Sequence, residues 1–499
     1  MKSYIPAILI LMLYQLGCKP PVPLYLGQGI MAGEATDSSV MLQTRITASD
    51  TLVGGDLKGA EAQVRFEMSE DENFKKSLFS DLLYADSTTD YIVKYTFTKL
   101  KPNQRYFYRA SYGKNIDHPT VSKVGTFITN AGKYVEATNS LVVVTGMNYY
   151  HFHYGPYDSA KAYNGDDKAL GYPALAAILA LKPDYFIGTG DNVYFDHPAK
   201  KDFSNALKRG KKPHPGGYDG NEVTDEKGMR RKYHEQFVQQ RFQDLFFNTA
   251  TYWEKDDHDY RKNDADPYVE FPISHELGMQ NFREQLPVVD PESDKPTYRT
   301  HRINSELQIW MVEGRDFRSP NDMPDGPDKT IWGKEQLIWL KESLSASDAV
   351  FKLLISPTPM VGPDDASKSD NHVNPDGFRH EGEAFFDWLI DQGLDKRNFY
   401  IVCGDRHWQY HAMHPKGIEE FSTGALVDNN SRAGRLAGDP ESTDPDALIK
   451  QYYIQGTPEE ASGGFLMIRN IPASIPELHV EFYDEKGVLA YKVIKMAAL

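Results

Sequence analysis

The chain has 499 residues, of which 40% are hydrophobic and 25% charged, so it is long enough to form two or three globular domains. This composition is ordinary for globular proteins and excludes a chain that is disordered throughout. The formal net charge of −16 argues against nucleic acid as a bulk partner, because phosphate backbones attract basic surfaces.

The first 18 residues are typical of a secretory signal. Lys2 precedes an apolar run from Tyr4 to Leu16, which is too short to span a bilayer comfortably. The alternative is an anchor helix that the mature protein retains. Leu16-Gly17-Cys18 resembles a bacterial lipobox, whose cysteine becomes the lipidated first residue. This resemblance implies an exported protein in the periplasm or at the outer surface, held to the membrane only by a lipid on Cys18.

Residues 22–130 alternate between apolar and polar side chains, for example at Val93, Tyr95 and Phe97, which is typical of half-buried strands. The segment Leu100 to Tyr108 looks like the tyrosine corner of a fibronectin III or Ig-like sandwich. We therefore expect an all-β sandwich here, with a role in packing or positioning. A role in binding a ligand is the alternative.

Residues 139–499 change to the pattern of a layered α/β domain. Continuous apolar runs predict buried strands, and leucine or aromatic residues at helical spacing predict helices between them. The predicted strands are Leu141–Val144, Asp184–Gly188, Phe351–Ile355 and Phe399–Cys403, and the predicted helices are Pro173–Leu181, Glu335–Leu344 and one after Glu381. Cys403, the only cysteine besides Cys18, is expected to be a buried core residue with no disulfide partner.

Three polar clusters follow apolar strands directly, and they carry carboxylate, imidazole and phenol groups that suit hard or borderline cations. Any one of them is explained as well by a turn or a solvated loop. Their recurrence at strand ends of one α/β domain favours a shared site, since such ends meet at one edge of a sheet. The clusters are Gly190-Asp191-Asn192-Val193-Tyr194, Asp256 to Asp264 with Asn263, and Gly404-Asp405-Arg406-His407.

In order and character these clusters resemble the calcineurin-like metallophosphoesterase motifs, in the form used by the PhoD-like alkaline phosphatases. The resemblance covers residues 22–499 and implies a two-sheet sandwich flanked by helices in the catalytic domain. It implies Asp191, Tyr194, Asp257, Asp405 and His407 as metal ligands, with calcium as the metal and iron as a second candidate. It also implies that His258 contacts phosphate or protonates the leaving oxygen.

The segment Glu313 to Arg318 resembles the family's stretch after the second cluster. Arg315 is therefore a candidate to orient phosphate, and a structural salt bridge is the alternative. Asp370, Asn371 and His372 follow the strand at Phe351, so they could ligate a metal or hold the substrate, or they could form a plain capped loop.

One departure concerns the first catalytic strand, where the family has a metal-binding cysteine. This chain has Thr145-Gly146-Met147-Asn148 there, so Gly146 cannot ligate through a side chain, although Asn148 could offer an oxygen. His151 and His153 lie close to this strand end in sequence, and neither is required as a substitute ligand.

We expect an enzyme that hydrolyses small phosphate mono- or diesters through metal-activated hydroxide. The alternatives are a degenerate, non-catalytic surface lipoprotein that binds metal or ligand, and a hydrolase of another ester.

Overall fold

The structure is a computed structural model that describes residues 23–156, 159–199, 208, 222–289, 293–456 and 463–498. The α-helices of these residues are α1 (Tyr149–Tyr154), α2 (Pro173–Leu181), α3 (Glu226–Phe237), α4 (Gln240–Phe246), α5 (His275–Gln285), α6 (Gly333–Ala346) and α7 (Arg379–Asp391). Their strands are β1 (Ile30–Gly33), β2 (Ser39–Arg45), β3 (Ala62–Ser69), β4 (Ser77–Phe79), β5 (Leu83–Ala85), β6 (Ile92–Thr98), β7 (Arg105–Gly113), β8 (Thr120–Val121), β9 (Gly125–Ile128), β10 (Asn139–Val144), β11 (Tyr185–Thr189), β12 (Ala250–Glu254), β13 (Arg299–Arg302), β14 (Leu307–Met311), β15 (Phe351–Ser356), β16 (Phe399–Cys403), β17 (Gln409–Met413), β18 (Glu419–Thr423), β19 (Lys450–Ile454), β20 (Gly464–Ile471), β21 (Glu477–Asp484) and β22 (Leu489–Met496).

The predicted signal and Cys18 lie outside the described residues. Within the described part of the chain, no helix combines the length and the apolar character that crossing a bilayer requires.

Two large sheets form the centre of the molecule. One has nine strands in the order β22-β21-β20-β10-β11-β12-β1-β2-β6, and the other has seven in the order β13-β14-β15-β16-β18-β17-β19. Strands β10, β11 and β12 run parallel, as do β14, β15, β16 and β18. Their carboxyl ends therefore face the same way within each sheet, which is where α/β proteins collect ligands.

Alternating side chains of the central strands pack into different layers. Leu141 and Val143 of β10 join a core that also contains Ile309 and Leu353 of the facing sheet, whereas Val142 and Val144 pack against helices. Helices α2 to α5 cover the outer face of the nine-stranded sheet, and α6 and α7 cover that of the seven-stranded sheet. This arrangement confirms the predicted two-sheet sandwich flanked by helices.

The strands of residues 22–130 do not form a free-standing module. Strand β1 pairs in parallel with β12 of the catalytic region, and β2 and β6 extend the same sheet. Strands β3, β4, β5, β7, β8 and β9 form a separate sheet. The Lys101 amide donates to the Tyr106 hydroxyl at 2.9 Å, as the tyrosine corner predicts. The Ig-like sandwich is nevertheless not confirmed, because one sheet of this region is continuous with the catalytic sheet.

A buried ionic cluster ties the N-terminal strands to helix α3. His234 contacts Asp56 through Nδ1 and Asp90 through Nε2, each at 2.6 Å, and Arg45 pairs with Asp90 at 2.9 Å. Burial alone would raise the pKa of Asp90, but His234 and Arg45 outweigh it and hold that pKa well below its usual range. The ionised Asp90 therefore stabilises the fold.

Replacing His234 removes the group that lies between the two carboxylates. We expect His234→Ala to lower the free energy of unfolding by about 3 kcal/mol at neutral pH, because Asp90 is left buried with an incomplete counter-charge. A depressed pKa stabilises the folded state above the unfolded pKa of about 4, and this contribution is lost as the pH falls through the folded-state value. Urea unfolding should therefore show a difference between variant and wild type that shrinks on acidification. The exposed His118 provides the control, since His118→Ala should change little at any pH.

Candidate active site

The three polar clusters meet where the two sheets present the ends of their parallel strands. Asp191 follows β11 of the nine-stranded sheet, and His407 follows β16 of the seven-stranded sheet. The His407 Nε2 lies 2.8 Å from the Asp191 Oδ2, and the Tyr194 hydroxyl donates to the same oxygen at 2.8 Å. Residues more than 200 positions apart therefore share one carboxylate, as the sequence predicts.

The site residues hold unusual backbone conformations. Asp191, Asp405 and His407 have φ values of 55°, 57° and 50°, a left-handed region that non-glycine residues rarely adopt. Such strain persists only where the surrounding structure enforces it, and it is concentrated at functional sites.

Asp259 enforces the shape of the first two clusters. Its carboxylate accepts hydrogen bonds from the backbone amides of Asp191 (3.2 Å), Asn192 (3.2 Å) and Asp256 (2.7 Å), and from the Asn192 side chain. Asp259 is fully buried. One side chain therefore fixes the loops that follow β11 and β12.

In the second cluster, Asp257 and His258 lie close to Asp191. One ligand atom from each of the three lies within 4.8 Å of the others, the arrangement that a metal ion requires. The Asp257 carboxylate also accepts from the amides of His258 at 2.9 Å and Asp264 at 2.5 Å. Burial raises the pKa of Asp257, but the charges of His258 and Arg315 outweigh it and lower that pKa overall.

His258 is oriented by Asp196, whose Oδ1 lies 2.7 Å from Nδ1. Its Nε2 has no hydrogen-bond partner among the described residues. Burial would lower the pKa of His258, but Asp196, Asp257 and Asp191 raise it well above the ordinary histidine value. The imidazolium is therefore the favoured form in this environment.

Asp405 lies beside three cations, one of which is Arg406 at 3.7 Å from its Oδ2. The Asp405 Oδ1 is 3.9 Å from the Lys368 Nζ and 3.6 Å from the Arg432 Nη2. The same ammonium lies 3.5 Å from Asp370 and 3.3 Å from Asp264. Asp264, Asp370 and Asp405 therefore surround the Lys368 ammonium, and Asp370 interacts with this cation.

Several buried carboxylate oxygens of the site lack a hydrogen-bond donor. Burial raises the pKa of Asp191 to about 7; His258 opposes this rise, whereas Asp257 and Asp405 add to it. Unpaired buried carboxylates are costly, and a bound cation would satisfy these oxygens and relieve their repulsion. The donor set therefore fits hard or borderline metal ions. The oxygens without a donor are Asp191 Oδ1, Asp256 Oδ2, Asp264 Oδ1, Asp405 Oδ2 and both oxygens of Asp370.

Gly146 explains in part why the family's cysteine is missing. Its φ is 68°, and a β-carbon here would lie 2.9 Å from the Ala425 Cβ and 3.0 Å from the His407 Cδ2. A cysteine would therefore displace a predicted ligand. Asn148 does not take its place next to Asp191, because its side-chain amide lies against the His197 Nδ1 at 2.8 Å.

Asn430 closes the site on the side of Gly146. Its amide donates to the Tyr194 hydroxyl at 2.7 Å and to the Gly146 carbonyl at 3.2 Å, and its Oδ1 lies 2.8 Å from the His151 Nδ1. Tyr194, predicted as a ligand, is thus fixed on both sides by hydrogen bonds.

Two predicted site residues lie elsewhere. Arg315 is fully buried and binds Asp256 through Nε at 2.8 Å and Nη2 at 2.5 Å, which is the structural salt bridge that the sequence left as the alternative. His372 contacts Glu381 at 3.0 Å and packs on Trp332, and it lines a different cavity. The structure therefore places His372 away from the three clusters.

A cavity of about 710 Å³ opens over the clusters, a size that suits a small ester. Asn263, a predicted site residue, lies at its rim and is exposed. Sequence reasoning missed several residues that build or flank the cavity. Asp196 could have been found from its place five residues after Asp191, whereas Asn430, Arg432 and Lys368 lie in irregular loops that carry no periodic pattern.

Comparison with known proteins agrees with this geometry. The family of PhoD-like phosphatases matches residues 142–452, and the PhoD-like phosphatase N-terminal domain matches residues 20–131. Alkaline phosphatase D of Bacillus subtilis (strain 168) is 22% identical over 453 residues, which cover 85% of this chain and 72% of that protein.

Solved structures share the fold. A structure of PhoD has a TM-score of 0.70 at 18% identity, covering 94% of this chain and 89% of its own. Purple acid phosphatase PPD1 from yellow lupin (Lupinus luteus) seeds has a TM-score of 0.57 at 11% identity, covering 93% and 73%. The paired sheets and the carboxylate–histidine site define a phosphoric ester hydrolase with a metallophosphoesterase-like fold. The chain belongs to the family of PhoD-like phosphatases.

Removing the Asp259 carboxylate should disturb the loops that follow β11 and β12 at once, because both donate hydrogen bonds to it. We expect Asp259→Ala to lower kcat about a hundredfold, because Asp191 is no longer held in place, and to destabilise the fold by about 3 kcal/mol, because backbone amides lose their acceptor. Asp266 is a matched control, since its carboxylate accepts from the amides of Tyr268, Val269 and Asn321 away from the clusters. Asp266→Ala should lose stability and keep kcat within about threefold. Equal losses of kcat in the two variants would contradict this role.

Proposed function

We propose that this phosphoesterase depends on bound metal ions and acts outside the cytoplasm on small phosphate esters. The observation that carries the metal dependence is the group of buried carboxylate oxygens without a hydrogen-bond donor at and around Asp191. Asp191, Asp257, Asp405 and His407 would hold the ions, with Tyr194 as a further ligand. When bound, such ions supply an activated water and neutralise charge on the phosphoryl oxygens.

The chain's own residues have distinct parts in this proposal. Asp191 contacts His407 and lies close to Asp257, so its carboxylate would help to hold the ions. His258, held by Asp196 through Nδ1, leaves Nε2 to donate a proton to the departing alcohol oxygen. Asp259 keeps both loops in place without touching substrate.

Calcium is our first choice for the metal, because the proposed ligands other than His407 offer oxygen. Tyr194 is the feature that favours iron(III) at one position, since a phenolate ligates that ion in the proteins that the clusters resemble. The non-catalytic alternative is not favoured, because the chain belongs to the family of PhoD-like phosphatases and because Tyr194 and His407 line the cavity.

Hydrolysis of p-nitrophenyl phosphate should require both metal and the proposed ligands. We expect a chelator to abolish turnover and calcium, manganese or iron to restore it. Asp191→Asn and His407→Ala should each lower kcat/KM by about a thousandfold or more, because the phosphoryl charge is no longer neutralised.

His414 serves as the matched control, since it lies after the third cluster and contacts Glu383 outside the site. His414→Ala should keep nearly full activity. Undiminished hydrolysis after complete metal removal would contradict the metal dependence. Turnover of a sulfate ester or a phospholipid in preference to phosphate mono- and diesters would contradict the proposed substrate class.

We propose that the chain is exported and anchored by a lipid at Cys18. The support is the basic Lys2, the apolar run and the lipobox-like Leu16-Gly17-Cys18. Fractionation of cells that make the full chain tests this. The wild type should be found with membranes, and Cys18→Ser should move it to a soluble fraction or leave it uncleaved. An unprocessed wild type in the cytoplasm would contradict export.

We also propose domain boundaries at 22–130 and 139–499, with the first region related to Ig-like sandwiches. Its antiparallel strands and the Tyr106 hydroxyl contact support this relationship. The region would act as a support for the catalytic sheet, since β1 pairs with β12 directly before the second cluster.

A further inference from the structure

Among the described residues, four histidines and one acidic residue, Asp428, line the active-site cavity, together with one lysine and one arginine. The lysine and the arginine are Lys161 and Arg432. Lys161 is exposed at the rim. Arg432 lies in the loop that follows Asn430, and its side chain is 44% exposed. A phosphate ester that enters the cavity therefore meets Arg432 next to the Asp405 carboxylate.

Arg432 is held in place by the backbone of that cluster. Its own amide donates to the His407 carbonyl at 3.1 Å. Its Nε donates to the Arg406 carbonyl at 3.3 Å, and its Nη2 donates to the Asp405 carbonyl at 3.1 Å. The guanidinium is thereby oriented beside the predicted metal ligands before any substrate is present, which lowers the entropic cost of binding.

The hydrogen-bonding capacity of Arg432 is not exhausted by these contacts. A guanidinium has five N–H donors, and Nη1 of Arg432 donates to none of the described residues. The Asp405 carboxylate lies 3.6 Å away, which is an ion pair without a hydrogen bond. Arg315 shows the contrast, because its nitrogens bind Asp256 and the Ala265 carbonyl in a fully buried position. Arg432 has free donors at the cavity, and Arg315 has none there.

We propose that Arg432 binds the phosphoryl group of the substrate, with Nη1 donating to a non-bridging oxygen. This inference rests on the proposed function and replaces Arg315 as the phosphate-binding arginine. A guanidinium suits this task because its planar donors match phosphate oxygens and its charge persists at alkaline pH. The contact adds to the binding of phosphate in the ground state as well as in the transition state.

Arg435 provides a matched control three residues along the same loop. Its side chain is 37% exposed and pairs with Asp439 at 3.3 Å and Glu441 at 2.5 Å, and it does not line the cavity. Arg432→Gln removes the guanidinium that lines the cavity, and Arg432→Lys keeps its charge. Arg435→Gln removes a guanidinium from the same loop that does not line the cavity.

The experiment measures binding of inorganic phosphate to the purified full chain by calorimetry, with the bound metal quantified in the same samples. Arg432→Gln should weaken phosphate binding about tenfold to a hundredfold at unchanged metal content, because a charge-assisted hydrogen bond is lost. Arg432→Lys should recover part of this loss, and Arg435→Gln should bind phosphate like the wild type. Calorimetry needs no turnover, so it decides this inference even if the ester hydrolysis proposed above is not observed.

The same samples show which results would overturn the inference. Phosphate binding by Arg432→Gln within twofold of the wild type would exclude the contact. A fall in metal content that accounts for the weaker phosphate binding would assign Arg432 to the support of Asp405 instead. Equal losses of phosphate affinity in Arg432→Gln and Arg435→Gln would show that the net charge of the loop, and not a contact with Arg432, causes the weaker binding.

Discussion

The crowding of buried carboxylates around Asp191 is the constraint on which the rest of the structure depends. Asp191, Asp257 and Asp405 come from three different loops. Burial and the repulsion of the other two carboxylates raise the pKa of Asp191 to about 7, whereas neighbouring cations lower the pKa of Asp257 and of Asp405. The surrounding protein supplies partial compensation through His258, Lys368 and Arg432. Oxygens without donors remain, so the folded chain gathers more negative charge than its own cations satisfy. Such an arrangement is useful when a cation completes it.

The fold accounts for how these groups are held together against their repulsion. The carboxyl ends of β11 and β12 in one sheet and of β16 in the facing sheet lie at the same edge. Asp259 connects the loops that follow β11 and β12 by accepting hydrogen bonds from their backbone amides. The left-handed conformations of Asp191, Asp405 and His407 are the local cost of this convergence. The N-terminal strands contribute indirectly, because β1 lies beside β12 and His234 fixes α3 against them.

Sequence patterns predicted the parts of the fold that depend on local periodicity. The strands at 141–144, 184–188 and 399–403 and the helices at 173–181 and 335–344 are confirmed within a few residues, since each is a continuous apolar or helical pattern. The pairing of β1 with β12 could not be predicted, because it joins residues more than 200 positions apart through backbone hydrogen bonds that carry no side-chain pattern.

In the candidate site, too, residues in short motifs at strand ends were predictable from the sequence, whereas residues placed by tertiary contacts were not. Asp191, Tyr194 and His407 are found together because short motifs at strand ends carry their positions. Arg315 and His372 also follow strands, but one points into the protein at Asp256 and the other at Glu381, and sequence position does not reveal that direction. Asn430 and Arg432 reach the cavity from an irregular loop whose path is set only by tertiary contacts.

The most direct measurement is an anomalous difference map from crystals of the purified chain grown with manganese. The account predicts metal peaks in contact with the carboxylates of Asp191, Asp257 and Asp405. A map without peaks at these carboxylates, at manganese concentrations that support full phosphatase activity, would contradict it.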